Sequence, residues 1–440
     1  MKKIIFIAVL LTSFGNSYAQ QAWSLETVLQ RVMQQNERID IAKRQTLLEE
    51  QKITKGMAGL TPVVRAFAGG EYTQSNIALE INTFGQGGQE TQKITDDLAG
   101  SMSHNAGVQL DYVLYDGGRG KKVLQQLRNT ANLAALRQQL TIDNTLLQVT
   151  QLYLNIASRE QTVQLLKENI KLSQQRIDRA VLNDKYAKGN ALSVLQAKTD
   201  LNSDSIALKN LQRELQNTQR DLLRTLNIDE DSSFETLPLV SPNSLPSLES
   251  LKTSAQQKNP EILLAEQGII IDQQQLAIAE TTNKPTIQVY GLAGYGRQDY
   301  EANQIKFFQS IDLTAGFSVS YNLYDGHKRR REQDIQRLQI RISEKEKDLV
   351  TKDVFTALDK GWNTYQNLEE QLTFEQKNLP FYTENLSRVQ TNYKNGKATD
   401  TDIRTAQLGL LSAQISIARK KIELQTQYFT LLKLAGLITT

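Results

Sequence analysis

The sequence predicts an α+β protein built from two copies of one unit, each joining two β-strands to a long helical hairpin. Three observations predict it. The stretch Leu114-Tyr115-Asp116-Gly117 recurs as Leu323-Tyr324-Asp325-Gly326. Each copy ends a run of alternating apolar and polar residues, the pattern of a half-buried strand. Each also opens a heptad-like run, from Gly118 to Lys185 and from His327 to Tyr393. At 1.5 Å per residue either run makes a helix about 100 Å long. Ordinary globular helices run about 8–20 residues, so neither belongs to a compact domain.

The chain has 440 residues, a formal charge of +3 and no cysteine. So little excess positive charge argues against a nucleic-acid partner, whose phosphates need neutralising. Without cysteine there is no disulfide, thiolate nucleophile, cysteine metal site or lipid-modified N-terminal cysteine. Residues 1–19 read as a signal peptide. Lys2 and Lys3 precede a short apolar core, Ile4 to Leu11, and Ser17-Tyr18-Ala19 is a small-x-small cleavage site. No later apolar run is long enough for a transmembrane helix, so the exported chain is either soluble or crosses a membrane as a β-barrel.

The elements follow in order. Leu25, Val28, Leu29, Val32, Ile39 and Ala42 recur at helical steps, which predicts a helix from Ser24 to Met57. A strand from Pro62 to Tyr72, a polar loop from Thr73 to His104 and a strand from Asn105 to Tyr115 make a hairpin. Val108, Leu110, Tyr112 and Leu114 share one strand face; Gln109 and Asp111 take the other. The first long helix follows, with a stop at Gly189. A shorter helix runs from Ala191 to Leu226.

Residues 228–247 are a linker with Pro238, Pro242 and Pro246, dividing a first repeat, 20–227, from a second, 248–440. The second repeat brings a helix from Leu248 to Thr282, a strand from Pro285 to Arg297, a loop, and a strand from Asp312 to Tyr324. The second long helix and a last helix from Thr399 to Leu434 complete it. The repeat period is about 207–223 residues, too long for a solenoid. Its variation lies in the hairpin loop, where insertions are tolerated.

The lengths agree with one another. In each half the two shorter helices, end to end, span about the length of the long one. A long helix can therefore leave the hairpin, turn at a glycine and return alongside its shorter partners. Four strands with one apolar and one polar face have unpaired edges, which oligomeric closure would remove. Two chains would give eight strands and three would give twelve; the pattern itself does not choose.

Taken together, the duplicated Leu-Tyr-Asp-Gly junctions, the Tyr-x-x-Gly turns at Tyr186–Gly189 and Tyr393–Gly396, and the two proline-led strands resemble the bacterial outer-membrane efflux proteins of the TolC type. The likeness extends over essentially the whole mature chain. It implies a homotrimer with a shared 12-stranded barrel in the outer membrane and a helical tunnel through the periplasm. It also implies a periplasmic adaptor docked at the tunnel tip, and an inner-membrane pump of the RND or ABC type. No cofactor is implied.

On the same resemblance, Tyr186, Lys188, Gly189 and Asn190, with Tyr393, Asn395, Gly396 and Lys397, form the periplasmic tip that meets the adaptor. Asp402 matches a family position where acids line the closed tunnel mouth. The corresponding first-half position is Leu195, and the second family acid falls on Thr405, so this mouth is less acidic than the pattern. Tyr393 matches a tyrosine that ties neighbouring helices; Ala398 stands where its arginine partner is expected. Arg119, Lys121 and Lys122, and Lys328, Arg329, Arg330 and Arg331, follow the two Asp-Gly pairs. Basic residues in a first helical turn oppose the macrodipole, and a role for them is to meet outer-membrane lipid phosphates as a collar.

The two histidines, His104 and His327, lack metal-ligand spacing. No nucleophile, acid–base or phosphate-loop motif is present, which argues against an enzyme. The reading is a passive exit duct for small molecules delivered by a pump. Its rival is a periplasmic coiled-coil scaffold, against which the alternating strand faces count.

Overall fold

A computed structural model of the chain describes residues 21–85, 88–186, 191–228, 234–237, 244–301 and 305–438. The predicted signal peptide, 1–19, lies outside the described residues. The elements in order are β1 (Gln21–Trp23), α1 (Leu25–Gln35), α2 (Glu37–Gln51), β2 (Val63–Gly85), β3 (Gly88–Tyr115), α3 (Arg119–Lys185) and α4 (Ala191–Thr225). Then come β4 (Phe234–Thr236), α5 (Leu248–Lys258), α6 (Pro260–Ala279), β5 (Thr286–Tyr300), β6 (Phe307–Ser320), α7 (Lys328–Lys394) and α8 (Asp400–Leu434). The two long helices, α3 and α7, have 67 residues each. Pro380 lies inside α7, where it lacks the N–H that would close on the Gln376 carbonyl.

Contacts divide the chain into two units. One takes the described residues of 1–44, 135–264 and 348–440, the other 45–134 and 265–347. The first unit is helical and holds three apolar clusters. Val28, Val32, Ile39, Val149, Tyr153, Leu154, Leu222 and Leu226 build the largest. Leu251, Ile262, Val354, Leu358 and Leu431 build the second. The third, Leu386, Tyr393, Ile403 and Ala406, sits by the turn between α7 and α8.

Two corrections to the predicted helices share one cause. The helix expected from Ser24 to Met57 breaks at Asn36, and the one expected from Leu248 to Thr282 breaks at Asn259. Both asparagines are buried. Asn36 accepts from Ile39 N at 3.1 Å and donates to the Thr225 carbonyl at 2.7 Å. Asn259 accepts from Glu261 N at 2.8 Å and Ile262 N at 3.1 Å, and donates to the Leu434 carbonyl at 2.8 Å. Each side chain caps the helix that starts after it and satisfies a carbonyl at the end of a distant one, which a helical continuation could not do.

The predicted linker contains β4, which pairs in parallel with β1. Trp23 stacks on Phe234 at 4.4 Å between centroids, and the Tyr153 hydroxyl donates to the Trp23 carbonyl at 2.8 Å.

The second unit holds an antiparallel sheet in the order β2-β3-β5-β6. Its register puts Val64, Leu110, Val108, Ala293, Leu313, Val289 and Phe317 on one face, because Val64 opposes Leu110, Val108 opposes Ala293, Ala293 opposes Leu313, and Val289 opposes Phe317. The other face carries Arg65, Gln109 and Asp111, with an Arg65–Asp111 ion pair at 2.9 Å, and Thr314 and Ser318. The apolar face is bare: Ile311 is 83% exposed and Leu313 87%. The edges, β2 and β6, have no strand partner beyond the sheet among the described residues.

The strands correct the expected lengths. The predicted loop from Thr73 to His104 is mostly strand, since the β2–β3 ladder continues past a bulge near Ser75 to Gly85 opposite Gly88. It outruns the β3–β5 ladder, which ends at Ser101 opposite Tyr300. The extra residues of the first half therefore lengthen a hairpin. Strand β6 begins at Phe307, earlier than Asp312, and ends at Ser320, so Tyr321 to Tyr324 lie outside it.

Candidate functional site

Close to the turns that join α3 to α4 and α7 to α8, a polar cluster lies in an otherwise apolar seam. Helix α3 supplies Asn169, Ser173 and Arg176 at successive helical steps on one face, and α4 supplies Asp200 and Asp204. Tyr393 comes from the end of α7, and Asp400 and Arg404 from the start of α8. The Arg176 side chain is fully buried; it bonds Asp200 and lies 3.3 Å from Asp400. Arg404 grips Asp204 with both terminal nitrogens at 2.8 Å. Asn169 and Ser173 also donate to Asp204, at 3.0 and 2.8 Å. The Tyr393 hydroxyl donates to Asp400 at 3.3 Å. The cluster thus fastens the α3–α4 hairpin to the α7–α8 hairpin.

The three carboxylates are not equivalent. Burial pushes the Asp204 carboxyl up, but the bonds from Arg404 and Ser173, the Arg404 charge and the bond from Asn169 outweigh it. Asp204 ends below the usual carboxylate range. Burial prevails at Asp400, which sits above that range despite the Arg176 charge and the Tyr393 bond. Burial, with Asp400 beside it, also raises Tyr393. Such an arrangement is a mechanical tie, with no group exposed to attack a substrate.

The turn residues fall as follows. Gly396 has φ +71°. Its N–H donates to Tyr393 O at 3.2 Å and that of Lys397 to Asn392 O at 2.8 Å, a Schellman ending for α7 at Asn395. Tyr186 is exposed at the end of α3; Lys188, Gly189 and Asn190 lie outside the described residues. Asp402 is engaged by Thr399. It accepts from Thr399 N at 2.8 Å and Oγ1 at 2.6 Å, and its own N–H returns to Thr399 Oγ1 at 3.2 Å. This capping box starts α8, and the Thr399 bonds hold the Asp402 carboxyl below its usual range. The acid that faces Tyr393 is Asp400.

Residues 251–437 match the family model described as outer membrane efflux protein. In that stretch the chain is similar to the outer membrane efflux proteins. Comparison with curated protein sequences gives no match. Among solved structures, the chain shares the fold of the CmeC outer membrane channel of Campylobacter jejuni, at 12% identity and TM-score 0.74 over 94% of this chain and 86% of that one. The outer membrane protein VceC of Vibrio cholerae aligns at 14% identity and TM-score 0.71, over 94% and 96%. The open-state MtrE outer membrane channel of Neisseria gonorrhoeae aligns at 15% and 0.71, over 94% and 89%.

The efflux-protein match includes Tyr393, Asp400 and Arg404; their partners on α3 and α4 lie before it. Those partners were missed in the sequence, although polar residues at heptad spacing inside an apolar seam are a usable signal. The basic residues after the two Asp-Gly pairs divide by role. Asp116 accepts from the N–H groups of Gly118 at 2.9 Å and Gly120 at 2.6 Å, and Asp325 accepts from Arg329 N at 3.2 Å. These aspartates cap α3 and α7, and their charge offsets the basic first turns. The Arg329 guanidinium turns back onto Asp325 at 2.8 Å and the Thr282 carbonyl at 3.3 Å. Lys122 uses its carbonyl to accept from Gln274 at 2.8 Å. Arg330 and Arg331 are exposed, as are Lys121 and Lys328.

Proposed function

We propose that this protein is the outer-membrane exit duct of a tripartite efflux system, a passive channel for small molecules passed on by an inner-membrane pump through a periplasmic adaptor. The observation that carries it is the bare apolar face of the β2-β3-β5-β6 sheet, set against a polar face and two open edges. Water does not tolerate such a face and a bilayer does. The family resemblance chooses three chains, which close twelve strands around a lumen lined by the polar face; the working form is then a homotrimer in the outer membrane, its helices forming a periplasmic tunnel.

The efflux-protein match and the shared fold of the three channels support this reading. The equivalent caps of Asn36 and Asn259 support a duplicated chain, with a signal peptide at 1–19, repeats at 20–227 and 248–440 and a linker at 228–247. The duct performs no chemical step and needs no cofactor; the pump supplies the energy. Tyr186, Lys188, Gly189, Asn190, Asn395, Gly396 and Lys397 meet the adaptor, and Asp402 contributes its charge to the tunnel mouth. Separating the two helical hairpins opens that mouth, so the Arg176–Asp400 and Arg404–Asp204 contacts must give way first.

Membrane fractionation followed by mass-resolved chromatography of unheated, detergent-extracted protein tests the proposal. A trimer from the outer membrane is expected. A soluble periplasmic monomer or dimer would overturn it.

A further inference from the structure

We infer that the segment between β6 and α7 forms a binding site for the phosphate of an anionic phospholipid. The inference rests on the outer-membrane reading and gives it a specific lipid contact. A cavity of about 340 Å³ opens there, lined by Tyr321, Leu323, Tyr324, His327, Arg330 and Gln333 among others.

Three of these groups call for an anion. Among the described residues no carboxylate pairs with the exposed Arg330, whereas its neighbour Arg329 is committed to Asp325. Gln333 is 8% exposed and its Nε2 has no hydrogen-bond partner among the described residues. A buried amide donor left without an acceptor is costly, and a phosphate oxygen would satisfy it. His327 has φ +66°, a conformation that side chains rarely adopt; the matching residue of the first junction is Gly118, with φ +87°. The second junction therefore accepts backbone strain to set an imidazole beside Arg330, and such strain gathers at binding sites. The imidazole is held edge-on to Tyr324, with centroids 5.6 Å apart.

The apolar rim selects a lipid as the source of the phosphate. Leu323 is 88% exposed, and Tyr321 and Tyr324 are exposed beside it, directly after the last strand of the sheet. Aromatic and apolar groups at that level lie where headgroups meet acyl chains, with the basic groups reaching the phosphates.

Native mass spectrometry of the detergent-purified, assembled protein tests the site, with phosphatidylglycerol and inorganic phosphate titrated separately. Wild type is expected to retain phosphatidylglycerol and to ignore inorganic phosphate. Arg330→Gln and Gln333→Leu should each lower lipid affinity about tenfold, the scale of a lost charge-assisted hydrogen bond. His327→Gly restores the residue type of the first junction, relieves strain and so folds, and should also weaken retention. Arg341→Gln, farther along α7, should leave it unchanged. Equal retention by wild type, Arg330→Gln and His327→Gly overturns the inference, as does inorganic phosphate that binds alone and displaces the lipid. These results are separable from failure of the exit-duct reading, which fractionation reports directly.

Discussion

Arg404→Ala is the most informative perturbation of the inter-hairpin tie. Removing one partner of a buried ion pair costs about 3–5 kcal/mol, mostly because the other charge is stranded. Here the Arg404 side chain is 15% exposed and Asp204 8%, and Asp204 keeps its bonds from Asn169 and Ser173. We therefore expect a cost at or just below the lower end of that scale, about 2–3 kcal/mol per chain. At about 1.4 kcal/mol per tenfold, the ratio of released to fastened hairpins rises about 30- to 140-fold. Single-channel recording in planar bilayers should then show a larger open fraction for Arg404→Ala than for wild type. Asp204→Asn combined with Arg404→Gln removes both charges and should lie nearer to wild type than Arg404→Ala does. Wild-type conductance and thermal stability in Arg404→Ala would refute the reasoning, as would a double variant no better than the single one. Acid gives a second readout. The Asp204 carboxyl is depressed below its ordinary 3.8, so its contribution is present above that value and is lost as pH falls through the depressed one. There the unfolded state binds the extra proton, and Asp204→Asn should flatten that part of the stability profile.

Four further tests follow from other parts of the chain. Leu313→Arg should cost about 2–4 kcal/mol if it reaches the bilayer midplane and lower the yield of membrane-inserted protein, whereas Thr314→Lys, on the opposite face, should insert normally; equal yields would contradict the facing. Asn36→Ala and Asn259→Ala should each lower stability by about 2–3 kcal/mol, since each loses a helix cap and strands a distant carbonyl, as measured by denaturant midpoints. Gly396→Ala meets no atom within 4 Å, so its loss of about 1–2 kcal/mol is backbone strain alone, readable by calorimetry. Burial raises the Glu160 carboxyl above its ordinary 4.5, against its bonds from Thr236, so its contribution is complete below 4.5 and lost as pH rises through the raised value. Glu160→Gln should therefore gain stability over wild type as pH rises across that window, and a melting difference independent of pH would count against it.

The fold was legible where one pattern repeats over many residues. The heptads of α3 and α7 and the alternation around Val108 and Phe317 gave the right element types. The failures were local. Asn36 and Asn259 interrupt helices inside uninterrupted apolar periodicity, because each side chain answers a carbonyl almost two hundred residues away, at Thr225 or Leu434. The Thr73–His104 stretch read as a loop because Gln, Ser, Asn and Gly carry weak strand preference; cross-strand pairing with β2 supplies what local sequence lacks. The tie was half legible. The resemblance marks Tyr393, expects its arginine near Ala398 and assigns Asp402 to the tunnel mouth, but names no acid for Tyr393; in the structure that acid is Asp400, and Arg176 reaches it from the other half of the chain.

The Leu-Tyr-Asp-Gly motif shows why a junction residue can outlast the contacts around it. A strand must end, the chain must reverse its backbone hand, and a 67-residue helix must begin with its first N–H groups answered. Glycine supplies the reversal at Gly117 and Gly326, both with positive φ. The aspartate supplies the acceptor and a negative charge at the positive end of the helix dipole. With that charge in place the next residues are free to be basic, as Arg119 and Lys121, and Lys328 to Arg331, are. Replacing Asp325 by asparagine would keep an acceptor for Arg329 N and remove the charge that holds the Arg329 guanidinium. If the capping bond alone sets the junction, Asp325→Asn should be nearly neutral. If the charge matters, stability should fall at low salt and recover as salt screens the basic turn, and a salt titration of the melting temperature separates the two.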